Sequence, residues 1–320
     1  MSSAPQSKRG ARLGLVLAAV LWSLGSVFMR LLREPLGLGL HEPELSTLQL
    51  AFYRGLFGGL FMLLLVRRGQ FTYRPLMLVM VVTFAVMSGL YLSALGLGAA
   101  ANAIFLQNTA PVWVFVFAVF ILGERSDQRG WQSVLLGATG AIVIVVGGWP
   151  RDLDAAHERK EIFVLLMGVG SGLFYAIVVL FLRVMRDHAA VWLVALNLLG
   201  SALVLALFAL ATEGPAGFVH WVTMPSAAQF AVLVLWGIFQ MGIPYWLFAR
   251  SLRAISPQEA AIITLIEPLL NPVWAYLLTP EKDTPTLSMF LGGGLILLAL
   301  VWRYMPRPRR RSGFGDASQG

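Results

Sequence analysis

Charged residues in this chain are concentrated in short intervals between long stretches of Leu, Val, Ala, Phe and Gly. Apolar runs occupy residues 12–32, 46–66, 75–97, 99–122, 130–148, 162–184, 190–211, 228–249, 257–279 and 286–304. Each is about 20 residues long, and a helix rising about 1.5 Å per residue then crosses a hydrocarbon core of about 30 Å. The pattern predicts an all-α integral membrane protein with ten transmembrane helices. The longest connections lie near 33–45, 149–161 and 212–227, which leaves no room for a soluble catalytic module. The first run follows Lys8, Arg9 and Arg12 as the core of a signal peptide would. Its length and the nine similar runs after it make it a retained span.

Composition agrees with this reading. The chain is 58% hydrophobic and 12% charged, with a mean hydropathy of +0.76, whereas ordinary globular domains carry about 25% charged residues. Disorder, a fibre and a nucleic-acid binder are excluded. The net charge of +8 becomes informative once it is placed on the loops. With the N-terminus inside, one side collects Lys8, Arg9, Arg12, Arg67, Arg68, Arg74, Arg125, Arg129, Arg183, Arg186, Arg250, Arg253, Arg303, Arg307, Arg309, Arg310 and Arg311. The other side holds only Arg30, Arg33, Arg151, Arg159, Lys160 and Lys282. The positive-inside rule therefore predicts both termini in the cytoplasm. Residues 1–11 form a cytoplasmic tail, and the basic segment 305–320 reads as a disordered cytoplasmic tail beside anionic lipid. Arg30 and Arg183, at helix ends, read as interfacial anchors. The excess of Arg over Lys points to a GC-rich genome and a bacterial plasma membrane.

The chain has no Cys, which excludes disulfides and thiolate metal sites. None of the four His stands i, i+4 from another, so no metal site and no cofactor are expected. The sequence does not give the oligomeric state.

The two halves repeat. At a constant offset of 157, Leu95 aligns with Leu252, Ala103 with Ala260, Pro111 with Pro268, Ala118 with Ala275 and Glu124 with Glu281. An offset of 153 aligns Trp22 with Tyr175, Phe28 with Phe181 and Arg30 with Arg183. Residues 12–148 and 162–304 are thus expected to be two five-helix repeats. Five crossings are an odd number, so the second repeat enters from the opposite side. Such inverted repeats typify secondary transporters, which bind substrate at the repeat interface near the bilayer midplane.

The residues that carry the repeat also carry a family resemblance. The segments NTAPVWVFVFAVFILGER (108–125) and LIEPLLNPVWAYLLTPEK (265–282) each join a mid-helix Pro, an apolar half-helix and a terminal acid. Trp22-Ser23 and Tyr175-Ala176 form an aromatic-small pair in the first helix of each repeat. The chain resembles EamA-type members of the drug/metabolite transporter superfamily over nearly its whole length. That resemblance implies a central cavity and transport, commonly efflux, of small metabolites such as amino acids. The small multidrug-resistance branch has an acidic residue in its first helix; residues 12–32 contain none. A proton mechanism of that kind is not carried over.

Candidate site residues follow from polarity at membrane depth. Pro111 and Pro268 each remove one helical hydrogen bond and free the carbonyls of Gln107 and Thr264. Irregular backbone at that depth is tolerated only beside a cavity or within protein. Gly242 and Pro244 weaken the eighth span as a candidate gate hinge. Glu267 is the one mid-span carboxylate, a functional candidate by default. It either binds a substrate ammonium or a proton, or is held in a fixed pair. Thr264, Glu267 and Asn271 share a helix face. Arg54 is the matching intramembrane cation, placed to neutralise Glu267, to hold a substrate carboxylate or to lock packing. The resemblance includes an Arg at this position, which favours packing. Gln107, Asn108 and Gln240 are amides in need of partners, and Trp22, Tyr91, Trp113 and Tyr175 are aromatic candidates for stacking on a solute.

The function these residues imply is a secondary transporter that moves a small-molecule substrate across the lipid bilayer by alternating access, driven by protons or a counter-solute. No nucleotide motif is present. The competing reading is an intramembrane lipid-modifying enzyme, for which no reactive cluster is evident; no catalytic residue is assigned.

Overall fold

A computed structural model describes residues 7–121, 123–125, 127–149 and 155–305, the side chains at 155–157 and 257–258 excepted. Every regular element among the described residues is helical. Ten helices are long and apolar enough to cross a membrane: α1 (Lys8–Arg33), α2 (Thr47–Leu65), α3 (Pro75–Leu97), α4 (Ala100–Phe120), α5 (Gln128–Gly147), α6 (Glu158–Val184), α7 (Ala190–Thr223), α8 (Ala227–Ser251), α9 (Glu259–Leu278) and α10 (Leu287–Tyr304). The basic cluster Arg307 to Arg311 lies outside the described residues.

Ten crossings return the chain to the side on which α1 begins, called here the terminal face. Contacts between loops agree with strict alternation. At the terminal face Arg12 Nε meets Glu259 Oε1 at 2.6 Å and Arg129 donates to the Met305 carbonyl at 3.1 Å. At the far face Gln49 donates to the Trp221 carbonyl at 2.7 Å and Gln229 to that of Leu40 at 3.0 Å. These two glutamines also complete capping boxes with Ser46 and Ser226 at the starts of α2 and α8. One residue thereby bonds orphan helix donors and a neighbouring loop.

The seventh span departs from the expected 190–211. Its helix continues to Thr223, with a turn at Gly214, whose φ of 71° suits a residue without Cβ. The limb beyond the turn lies over the start of α2, where the Tyr53 hydroxyl donates to the Val222 carbonyl. The interval expected as a loop is therefore largely helical.

The main packing joins one half of the chain to the other: α2 with α7, α3 with α6, α1 with α8 and α5 with α10. An exchange of each span with the one five later maps α1–α8 onto α6–α3 and leaves α2–α7 and α5–α10 in place. The contacts thus follow the two-fold relation expected of the repeats. Glycine permits the closest crossing. A Cβ on Gly140 would lie 2.5 Å from the Gly292 carbonyl oxygen, and one on Gly292 would lie 2.5 Å from that of Gly140. Close backbone approach of this kind is how helices associate where lipid removes the hydrophobic drive.

Candidate functional site

Four spans are interrupted in mid-course. Span α1 is two helices, Lys8–Ser23 and Gly25–Arg33. Span α4 divides into Ala100–Gln107 and Ala110–Phe120, and α9 into Pro257–Thr264 and Ile266–Leu278. The first segments end at Gln107 and Thr264, which are 157 residues apart, so the breaks are images under the repeat. Pro111 and Pro268 each sit in the first turn of the following half-helix, where a missing N–H matters least. Span α8 passes through a π-helix, Trp236–Gly242, just before Pro244. Gly237 and Gly242 there lie against Phe57, Gly58 and Phe61 of α2.

The breaks gather polar groups from five spans. Gln240, on the π segment, donates to the Trp22 carbonyl at 3.1 Å and accepts from Arg54 Nη1 at 3.5 Å. Gly25, just past the α1 break, leaves room for the Gln240 amide, which would lie 3.2 Å from a Cβ. Buried Arg54 donates from Nη2 to Ser88 at 3.0 Å; its Nε has no hydrogen-bond partner among the described residues. Trp274 donates to Ser23 at 2.9 Å, and Ser26 to the Asn271 carbonyl at 2.8 Å, which fixes α9 to α1. The Trp22 ring meets Tyr245 edge-on at 5.2 Å.

Glu267 stands apart from this network. It is in the first turn of the second α9 helix and is only partly covered, as are Tyr175 and Tyr245. Among the described residues its carboxylate makes no hydrogen bond and no ion pair. Arg54, Tyr91, Tyr175 and Tyr245 lie within electrostatic reach of it. The half-helix N-terminus beneath it contributes partial positive charge. Arg54, bonded to Gln240 and Ser88, does not neutralise Glu267 by contact.

Of the residues expected at the site, Trp22, Arg54, Tyr91, Tyr175, Gln240, Glu267 and Asn271 are brought together. Asn271 is fully buried beside Gly25 and Tyr91. Asn108 donates to the carbonyl of Ile104, and Thr264 to that of Ala261, so each is engaged on its own helix. Gln107 reaches the Met87 sulfur at 3.5 Å. Trp113 has its ring beside Phe117, and its Nε1 has no hydrogen-bond partner among the described residues. Tyr245 and Ser88 join the cluster without having been singled out from sequence. The pairing of Trp22 with Tyr175 across the repeat is a signal that could have drawn attention to Tyr245, on the span paired with α1.

The far face corrects the expectation for Arg30, which is not an interfacial anchor. Its side chain is 0% exposed, and that of Asp283 is 1% exposed. Arg30 Nε and Nη2 grip the two Asp283 oxygens at 2.7 and 2.8 Å, while Nη1 and Nη2 also donate to the carbonyls of Leu95 and Gly98. Asp283 further accepts from the Ala100 N–H at 2.8 Å and the Thr279 hydroxyl at 2.6 Å. Beside it Lys282 Nζ lies 2.6 Å from Glu34. Burial pushes the Lys282 ammonium below its ordinary range, and the bond to Glu34 opposes that shift. At the terminal face Arg183 meets Glu124 at 2.8 Å, with 51% and 40% of these side chains exposed.

Residues 10–146 and 162–305 match the model of the EamA-like transporter family. An uncharacterized transporter of Archaeoglobus fulgidus is 28% identical over 294 residues, 90% of this chain and 95% of the relative. The uncharacterized transporter YwfM of Bacillus subtilis is 24% identical over 268 residues, 81% of this chain and 85% of its own. A solved crystal structure superposes with a TM-score of 0.61 at 16% identity, covering 93% of this chain and 98% of the other, which shows a shared fold. Both relatives are named as transporters, and the lipid-modifying enzyme is set aside on that ground.

Proposed function

The chain belongs to the EamA-like transporter family, and from that premise we propose that it is a secondary transporter carrying a small metabolite, an amino acid or drug-like solute, outward across a bacterial plasma membrane. Access to the site alternates as the two repeats rock, both termini are cytoplasmic, and protons or a counter-solute supply the driving force. Efflux is the direction that the family resemblance implies, and the distribution of Arg and Lys supports the orientation.

One observation carries this reading. Glu267 is an ionisable group in the middle of a span, partly uncovered and without a protein partner among the described residues. A charge at that depth costs at least a few kcal/mol unless water or a ligand meets it. The reading that accounts for it is a hydrated cavity in which Glu267 takes a cationic group. Arg54, buried and held by Ser88 and Gln240, has an Nε without a hydrogen-bond partner among the described residues and is the cation that would meet the opposite end of a zwitterion as the site opens. Tyr175, Tyr245 and Trp22 supply aromatic walls for an apolar or cationic side chain.

The test is counterflow. Proteoliposomes preloaded with an unlabelled amino acid are diluted into the labelled one, and transient accumulation above equilibrium is the expected result for at least one of a panel of amino acids and aromatic cations. Passive equilibration across the whole panel, with no overshoot, overturns the proposal. Inverted membrane vesicles then give the direction.

A further inference from the structure

The charged residues at the two faces are images of one another under the repeat. At the far face, Arg30 and Glu34 on α1 face Asp283 and Lys282 just past α9. An offset of 153 carries Arg30 to Arg183 and Glu34 to Asp187, and an offset of 157 carries Lys282 to Arg125. Asp283 aligns with Ser126, and Glu124, at the same helix end, supplies the acid instead. Each face thus holds two cations and two acids on the ends of the same pair of repeat-related helices.

The two sets are in different states. At the far face both pairs are made, Arg30 with Asp283 and Lys282 with Glu34, and the α3–α4 corner closes over them through the carbonyls of Leu95, Gly96 and Gly98 and the N–H of Ala100. At the terminal face only Arg183 and Glu124 meet, in the open. Arg125 and Asp187 are both exposed and make no ion pair among the described residues. The image of the buried Leu95 is Leu252, which is exposed, as is its neighbour Arg253.

We infer that these are the two latches of one gate: the far latch is closed in this structure, and the terminal latch completes itself when the far one opens, by burying Arg183–Glu124 and joining Arg125 to Asp187. The inference rests on the alternating-access reading above. The chemistry also sets a bias between the states. The Ala100 N–H that bonds Asp283 has Pro257 as its image, which has no N–H to give. The terminal latch is therefore one donor short, and the far-closed state is the one favoured at rest.

The chain contains no Cys, so introduced thiols are unique reporters. Ala100→Cys reports from beneath the far latch and Arg253→Cys from the terminal corner, each labelled by a water-soluble maleimide in proteoliposomes of the full chain. Breaking the far latch with Glu34→Gln plus Asp283→Asn is expected to raise labelling at position 100 and lower it at 253, by on the order of tenfold. Labelling that rises at both positions reports general loosening and overturns the inference, as does no change at either. Should the doubly substituted protein fail to fold, a second arm leaves the far latch intact. Arg125→Cys with Asp187→Cys is expected to cross-link on oxidation and to stop counterflow until reductant is added; failure to cross-link, or a cross-link without effect on transport, overturns it. Labelling needs no substrate, so reciprocal reporters in a protein that moves none of the panel contradict the substrate proposal and not the latch. Transport with reporters that move together contradicts the latch alone.

Discussion

Replacing Arg30 separates a buried ion pair from a helix-end anchor. In Arg30→Met the Asp283 carboxylate remains buried with only the Ala100 N–H and Thr279 hydroxyl, and the carbonyls of Leu95 and Gly98 each lose a donor. Removing one partner of a buried pair costs about 3–5 kcal/mol, because the other charge stays desolvated and unpaired. An anchor in the headgroup region is an exposed charge, whose pairings are worth about 0–1 kcal/mol. The companion variant Arg30→Met with Asp283→Leu removes both charges and is expected to recover most of the loss, short of the bond from Ala100 N–H that nothing replaces. Thermal and denaturant unfolding in detergent, run as a double-mutant cycle, reads both quantities. A loss under about 1 kcal/mol for Arg30→Met, or a double variant less stable than the single, refutes the argument that this pair is sealed from water.

Three further outcomes follow from local geometry. Gly140→Ala places a methyl 2.5 Å from the Gly292 carbonyl oxygen and should lower stability by about 1–3 kcal/mol, whereas Gly294→Ala, with open space around it, should leave the melting temperature unchanged. Ser46→Ala removes the acceptor for the Gln49 N–H and should cost about 1 kcal/mol in the same unfolding assay. Gln240→Leu frees the Trp22 carbonyl and leaves Arg54 with Ser88 as its one hydrogen-bond partner among the described residues. It should weaken counterflow at least tenfold while the protein still elutes as a folded species, and unchanged counterflow would detach Gln240 from the site.

The ten spans and their two-fold relation were legible in sequence because lipid imposes a length and a lack of charge that few soluble helices share. The breaks at Gln107 and Thr264 were legible too, since each precedes a proline at a repeat-related position. The α1 break was not. Leu24 follows no proline, and what marks the site is the close fit of Gly25 to Gln240, more than 200 residues away in sequence. Gly242 and Pro244 marked a weak point in the eighth span, but the π segment itself depends on the fit of Gly237 and Gly242 to the Phe57 to Phe61 surface of α2, which the sequence does not show. The helical limb past Gly214 was read as a loop because Gly-Pro ordinarily ends a helix, and here it redirects one. Arg30 misled most: at a helix end an Arg looks like an anchor, and nothing nearby in sequence shows that Asp283 awaits it. Among the candidate site residues, Gln240 bonds across helices to Arg54 and the Trp22 carbonyl, while Asn108 and Thr264 bond to their own helices, a difference that depends on neighbours the sequence does not show.

The most direct test of the central claim is transport of the counterflow substrate into proteoliposomes with and without an imposed pH gradient, for the native chain and for Glu267→Gln. The account predicts transport by the native chain and a loss of at least tenfold in Glu267→Gln, because the carboxylate that meets the cationic group is gone; response to the gradient then assigns protons, and its absence a counter-solute, as the driving force. Transport that survives the substitution unchanged would contradict it, leaving Glu267 as a packing residue.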